Sequence, residues 1–164
     1  MALITSPTDM IPDLNYEYHT ITVDTLNQTS ANTWTCFLTQ PLKNVVQARL
    51  LAARINTTTA TEHCYISIDE LNSTFNDRAT NVYEGQDSLS VLRKSFASLV
   101  TTDDTGIISF RDNYPIAVQY INPIRRIDRL TINIRNEDAV LITPPNPAEN
   151  NFLVLRFVCR KPNL

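Results

Sequence analysis

Residues 127–134 read IDRLTINI, and from Arg129 onward apolar side chains alternate with polar ones. Leu130, Ile132 and Ile134 are the apolar members of this alternation. Successive side chains of a β-strand point to opposite faces, so a period of two predicts a strand with one face on a core.

Similar short runs recur along the chain, with residues that favour turns between them. Strands are predicted at residues 16–23, 31–39, 63–68, 106–110, 116–121, 127–134 and 152–159. Turns or loops are predicted at residues 103–106, 113–115, 122–123, 136–138 and 144–147. Frequent short strands without intervening helices predict an antiparallel sandwich or barrel. Because the chain has only two glycines, Asn and Asp are expected to supply most positive φ angles.

Two segments are ambiguous between helix and strand. Residues 45–55 contain a run of good helix formers, and their pattern fits either element. Residues 88–100 place Leu89, Leu92, Phe96 and Leu99 at helical intervals. Propensity alone predicts a helix for both segments.

Composition limits the classes of protein to which this chain can belong. A length of 164 residues favours one domain, and a net charge of -3 argues against a protein that coats nucleic acid. No apolar run is long enough to span a bilayer, and the N-terminus does not have the pattern of a secretory signal. Cys36, Cys64 and Cys159 lie in apolar runs without metal-site spacing, which predicts reduced core thiols in a reducing compartment.

Motifs for catalysis are missing from the sequence. His19 and His63 are isolated and are interpreted as ordinary strand residues, and the shortage of glycine excludes a phosphate-binding loop or a dinucleotide fingerprint. A calcium site at Asp103 and Asp104 is a weaker alternative. We therefore predict a protein that is not an enzyme and that has no catalytic residues, no cofactor, no metal and no small-molecule substrate.

The C-terminal two thirds of the chain carries a resemblance to a known family. It rests on residues 63–71, which read HCYISIDEL, on an Asn-Pro turn at residues 122–123, on residues 127–138, which read IDRLTINIRNED, and on a closing apolar strand at residues 151–158. This stretch resembles the single jelly-roll minor capsid proteins, or penton proteins, of large icosahedral double-stranded DNA viruses and of their virophage and Polinton-like relatives. One difference is Ala139, where the family commonly has glycine. Alanine resists a positive φ, so we expect either a different turn after Asp138 or a left-handed conformation at Asn136.

The resemblance implies an all-β single jelly roll, an eight-stranded antiparallel β-sandwich that spans residues 16–160. An extended N-terminal arm, residues 1–15, would precede it, and residues 161–164 would form a C-terminal tail. Residues 45–55 and at least part of 88–100 would then be strands, because packing in a sheet overrides propensity. Both faces of residues 152–159 carry apolar side chains, which is typical of a strand covered on both sides.

The implied function is a structural one in the capsid of a virion. Five copies would close each five-fold vertex, in contact with the major capsid protein and other minor capsid proteins, without nucleic acid and without membrane contact. Assembly contacts are predicted in the arm and in a proline-rich loop, at Ile4, Met10, Ile11, Leu14, Pro144, Pro145 and Pro147.

Three rival functions remain open on sequence grounds. The first is another minor capsid or cement protein between or beneath the capsomers. The second is a jelly-roll attachment module, which an exposed aromatic side chain or a calcium-dependent sugar site would favour; Trp34 is interpreted as a core residue. The third is a cupin-type enzyme, although two isolated histidines do not form the metal cluster that such an enzyme needs.

Overall fold

The computed structural model describes residues 15–26, 33–56, 63–71, 95–100, 107–136, 141 and 150–162, with only the backbone for residues 112–117. It contains six β-strands and one short 3-10 helix, Asp69–Leu71. The strands are β1 Tyr16–Asp24, β2 Thr33–Asn56, β3 His63–Ile68, β4 Ala97–Val100, β5 Ile107–Arg135 and β6 Phe152–Arg160. Their order in one antiparallel sheet is β1-β6-β2-β5-β3-β4. The prediction of an all-β protein is therefore confirmed.

Several sequence predictions can be compared with these strands. Residues 45–55 lie inside β2, so the strand that the resemblance implied is confirmed and the helical alternative is wrong. In the second ambiguous segment Ala97–Val100 is a strand, whereas residues 88–94 lie outside the described residues. The turns predicted at 113–115 and 122–123 are wrong, because β5 continues through both positions. No helix in the described part of the chain is long and apolar enough to cross a membrane.

The two long strands have different neighbours along their lengths. Residues 42–56 of β2 and 107–127 of β5 pair with each other, and this part of β2 also pairs with β6, which pairs with β1. We call these four segments the first half-sheet. Residues 33–37 of β2 pair with 129–133 of β5, and β5 continues through β3 to β4. We call these four segments the second half-sheet.

Prolines occupy the places where the pairing of β2 with β5 is irregular. At three points the two strands have different numbers of residues between consecutive pairs. One strand has four residues there, and the strand opposite has one. These segments are 38–41 opposite Asp128, 120–123 opposite Val46, and 112–115 opposite Leu51. Each ends in a proline: Pro41, Pro123 and Pro115. Because proline has no N–H to donate, it is tolerated in a sheet at such irregularities. The first irregularity separates the two half-sheets.

The sheet curls around one apolar core. In β6 the fully buried side chains Leu153, Leu155 and Phe157 alternate with half-buried ones, and in β5 Leu130, Ile132 and Ile134 are buried as their alternation predicted. Residues of both half-sheets belong to the same cluster of buried side chains, which includes Trp34 from the second half-sheet and Phe157 from the first. The interpretation of Trp34 as a core residue is confirmed.

Cys36, Cys64 and Cys159 form no disulfide and are reduced thiols, as predicted. Cys64 and Cys159 are buried in the core, and Cys36 is half-buried against it. Burial raises the pKa of the Cys36 and Cys159 thiols, which keeps both protonated at neutral pH.

An asparagine supplies a positive φ in the described part of the chain. Asn44 has φ 52°, next to the irregular pairing at Val46. Asn136 does not have a positive φ, so the left-handed conformation considered for it is wrong. Residues 137–140, including Ala139, lie outside the described residues.

Candidate interaction surfaces

The predicted assembly contacts cannot be located in the fold. Ile4, Met10, Ile11 and Leu14 of the arm lie outside the described residues, and so do Pro144, Pro145 and Pro147 of the loop. Their role in assembly stays a prediction. The described strands offer other surfaces, which the sequence did not single out.

Large apolar side chains are exposed at separate places on these strands. Phe37, Val100 and Ile121 are 77%, 80% and 88% exposed. Phe37 shares a face of β2 with Thr33 and Thr35, opposite the face of buried Trp34, and it pairs with Arg129. Single exposed apolar residues are common on protein surfaces. Phe37 and Val100 lie on the two outer strands of the second half-sheet, and Ile121 lies in the first half-sheet. These side chains therefore do not form one apolar patch.

A carboxylate closes the second half-sheet where β3 ends. The β3–β5 ladder ends with Ile68 opposite Ile132, so the next N–H of β5, that of Thr131, needs another acceptor. The N–H of Thr131 donates to Glu70 Oε2 at 2.6 Å, and its hydroxyl donates to Glu70 Oε1 at 2.9 Å. Arg129 Nε lies 3.4 Å from Oε1. The Glu70 carboxylate thus takes the place of the carbonyl acceptor that a longer β3 would provide, and its hydrogen bond to Thr131 is charge-assisted.

We expect Glu70→Ala to lower the free energy of unfolding by about 2 kcal/mol. The substitution leaves the partly buried Thr131 N–H and hydroxyl without their acceptor. Urea denaturation measures the change. The control is Asp128→Ala, which removes an exposed carboxylate paired with Arg126, and its expected cost is under about 1 kcal/mol. Equal destabilisation by the two variants would contradict a special role for Glu70.

The 3-10 helix is also fastened to β5 by Tyr120. The Tyr120 hydroxyl donates to the carbonyl oxygen of Leu71 at 3.2 Å, and burial raises the pKa of this phenol. Leu71 itself is fully buried. Two contacts therefore hold the Asp69–Leu71 turn against β5. The Glu70 carboxylate accepts from Thr131, and the Leu71 carbonyl accepts from Tyr120.

A buried asparagine pair joins three strand ends of the first half-sheet. Asn56 and Asn151 are each 1% exposed. Asn151 Oδ1 accepts from the Asn56 N–H at 2.7 Å and from Asn56 Nδ2 at 3.3 Å, and Asn56 Nδ2 also donates to the Asn150 carbonyl at 2.9 Å. The Asn151 N–H donates to Thr25 Oγ1 at 3.0 Å, beyond the end of β1. Residues 56–58 read Asn-Thr-Thr, a glycosylation motif, but the Nδ2 atom that glycosylation would modify is buried and donates to Asn150 and Asn151, so it is not available for modification in the fold.

The histidines lie in strands, as predicted. His19 Nε2 lies 3.6 Å from Glu17 Oε2, and the ring of His63 packs edge-on against Tyr65 with centroids 5.3 Å apart. Within the described residues no group of three or more His, Cys, Asp or Glu side chains is placed to hold a metal ion. Asp103 and Asp104, the alternative calcium site, lie outside that part of the chain.

No protein-family model matches this chain, and no curated protein matches its sequence.

Proposed function

We propose that this chain is a single jelly roll and that it serves as the penton protein closing the five-fold vertices of an icosahedral virion. The observation that carries the proposal is the order of the strands within the curled sheet. The role is mechanical: the chain supplies the subunit that fills the five-fold positions of the shell, and no catalysis is involved.

The strand order supports the jelly roll when β2 and β5 are each divided at the irregularity opposite Asp128. The division gives eight strands in chain order, and the first half-sheet then has the order 1-8-3-6. The second has the order 2-7-4-5. Two four-stranded sheets with these complementary orders are what the paired Greek keys of a jelly roll require. Strands 1 and 8 are neighbours although they lie at opposite ends of the strand sequence, which a simple meander of consecutive strands would not produce.

The motifs behind the family resemblance support the proposal in a second way. One motif forms β3 and the 3-10 helix, and the other forms the last part of β5. These segments are neighbours in the second half-sheet, and Glu70 of the first motif accepts from Thr131 of the second. Residues that the resemblance depends on are therefore coupled physically in this fold.

A subunit in a closed ring contacts its neighbours through two different surfaces. In this fold β1 and β4 are the two edges of the sheet, so the sheet offers two different edge strands. In the proposed vertex, side surfaces contact other copies, while the arm and the loop at residues 144–147 reach the major capsid protein and other minor capsid proteins.

We expect the full chain to assemble into a species five times the 18.6 kDa mass of one copy. Closed rings of one size follow from repeated head-to-tail contacts that complete a rotation. Native mass spectrometry over a range of protein concentrations measures the stoichiometry. A strict monomer or dimer at every concentration would refute the penton assignment and leave the cement-protein alternative.

A second candidate, an attachment module, is favoured by the exposed aromatic ring of Phe37, which lies beside Arg129. Aromatic faces next to polar groups suit the apolar face of a sugar. Saturable glycan binding on an array, lost in Phe37→Ala, would support this candidate over the penton.

A further inference from the structure

Strand β1 has one side with which no described strand pairs. It is the first strand in the sheet order, and its described partner is β6. The pairing runs without a register shift over nine consecutive residues, from Tyr16 opposite Arg160 to Asp24 opposite Phe152. Unpaired N–H and C=O groups along one side of a strand are a template for a further strand. We call this side the β1 edge.

Hydrogen bonds at the two ends of the β1–β6 ladder show which residues face the β1 edge. The Lys161 N–H donates to the Asn15 carbonyl at 2.9 Å, and the Thr25 N–H donates to the Asn151 carbonyl at 3.0 Å. In an antiparallel ladder, residues that bond across to the partner alternate with residues whose N–H and C=O point away from it. Because residues 15 and 25 both bond toward β6, the odd-numbered residues between them do so as well. The residues whose backbone groups point to the β1 edge are Tyr16, Tyr18, Thr20, Thr22 and Asp24.

The β1 edge lacks the features that protect other sheet edges from further pairing. Proline, lysine, bulges and short length are such features, and nine-residue β1 has none of them. The other three outer strands of the half-sheets do have them. Residues 107–127 of β5 contain Pro115 and Pro123 with their irregular pairing. Residues 33–37 of β2 lead into the irregularity that ends at Pro41, and β4 has only four residues.

Side chains along β1 define the strand that would fit beside it. Thr20 and Thr22 are exposed, and β-branched residues pair well across neighbouring strands. Ile21 packs against the core but is only half-buried, so an added strand would cover more of its apolar surface. Glu17 and Asp24 place exposed carboxylates near the two ends of β1. A strand with β-branched residues at its centre and basic residues at its ends complements this edge.

We infer that the β1 edge accepts one extended strand of this chemistry from a different protein of the shell. The inference rests on the proposed function, because it identifies a contact between the vertex subunit and its surroundings. Pairing of β1 with β1 of a second copy is a two-fold contact, which cannot link five copies into a ring. The other described edges of a second copy are short or interrupted by proline. Backbone hydrogen bonds supply the affinity in strand addition, and alternate side chains supply the specificity.

The test measures binding of the synthetic peptide Lys-Thr-Val-Thr-Val-Thr-Val-Thr-Lys to the full chain by fluorescence anisotropy. Two further peptides carry N-methyl groups, one on its valines and the other on its threonines. Because successive residues of a strand donate to opposite sides, methylation on one side removes the donors to β1 and methylation on the other side spares them.

Two variants of the protein test the same contact from the other side. Thr20→Pro removes an N–H that points to the β1 edge and spares the ladder with β6. Thr20→Val is the matched control, because it keeps this N–H and the β-branched shape. Circular dichroism checks that both variants are folded.

We expect the unmodified peptide and only one of the methylated peptides to bind. Thr20→Pro should weaken binding about tenfold, while Thr20→Val binds like the wild type. Equal binding of the two methylated peptides, or no binding of any peptide at millimolar concentration, would overturn the inference. Dimerisation of the full chain that Thr20→Pro abolishes would also overturn it, since the strand would then come from a second copy.

The inference and the proposed function can fail separately. A pentamer that binds none of the peptides contradicts the inference and leaves the penton assignment intact. A monomer that binds the peptides with the expected alternation contradicts the penton assignment, and the β1 edge remains a site for an added strand.

Discussion

Replacing Phe157 by alanine is expected to lower the free energy of unfolding by about 4 kcal/mol. Phe157 is fully buried on β6, the strand that lies between β1 and β2. Its neighbours across these strands are His19 and Ala48. Ala48 is too small to fill the space left by the ring, and His19 Nε2 lies beside the carboxylate of Glu17 at 3.6 Å. The loss therefore combines the apolar surface no longer buried with a cavity that closes only in part.

Phe37→Ala is the matched control for this substitution. It removes the same ring from an exposed position on β2, so the expected change is within about 0.5 kcal/mol. Trp34 is the single tryptophan and is buried, so its fluorescence reports unfolding in urea. If Phe37→Ala destabilised the protein as much as Phe157→Ala, at one protein concentration, the placement of the core in this account would be wrong.

Asn151→Ala has the second largest expected effect, a loss of about 3 kcal/mol. Asn151 Oδ1 is the acceptor for both the backbone N–H and the side-chain amide of Asn56, which is buried. Removing this oxygen leaves the backbone donor without a partner and away from water, and that penalty exceeds the net contribution of an ordinary hydrogen bond. The ends of β2 and β6 should loosen first.

The comparison variant is Asn122→Ala, which changes an exposed asparagine in β5 and should alter stability by less than about 0.5 kcal/mol. Amide hydrogen exchange adds a local readout. We expect faster exchange near Asn56 and Asn151 in the Asn151 variant. Unchanged protection there, together with unchanged urea denaturation, would show that the asparagine pair does not fasten the strand ends.

Period-two segments could be predicted well from the sequence. β3 and β6 match their predicted ranges to within one residue, because their alternation is uninterrupted from end to end. Each of them also lies between two other strands of the sheet. Where a strand is regular and one of its faces is buried, local pattern and final structure agree.

Residues 45–55 resisted prediction for a physical reason. The buried side chains of this segment are Val45, Ala48, Leu50, Ala53 and Ile55. Register shifts between Val45 and Gln47 and between Leu50 and Ala52 each add one residue to the spacing. The resulting intervals of three and two imitate a helical pattern, so the irregularities that bend the strand also hide it.

Prolines misled the prediction for a related reason. Asn-Tyr-Pro at 113–115 and Asn-Pro at 122–123 predict chain reversals, but in β5 they occupy segments that bulge from the ladder and then rejoin it. Ile116 and Ile124, the residues that follow these prolines, are the ones that resume pairing with β2. The local sequence indicates where the pairing of β5 is interrupted. It does not indicate whether the strand resumes afterwards, because that depends on the partner strand β2.

Imaging the assembled full chain by electron cryomicroscopy tests the central claim most directly. We expect closed rings of five copies, in which each copy has two four-stranded sheets. Monomers, symmetric dimers, or rings with another number of copies would contradict the assignment of this chain as a five-fold vertex protein.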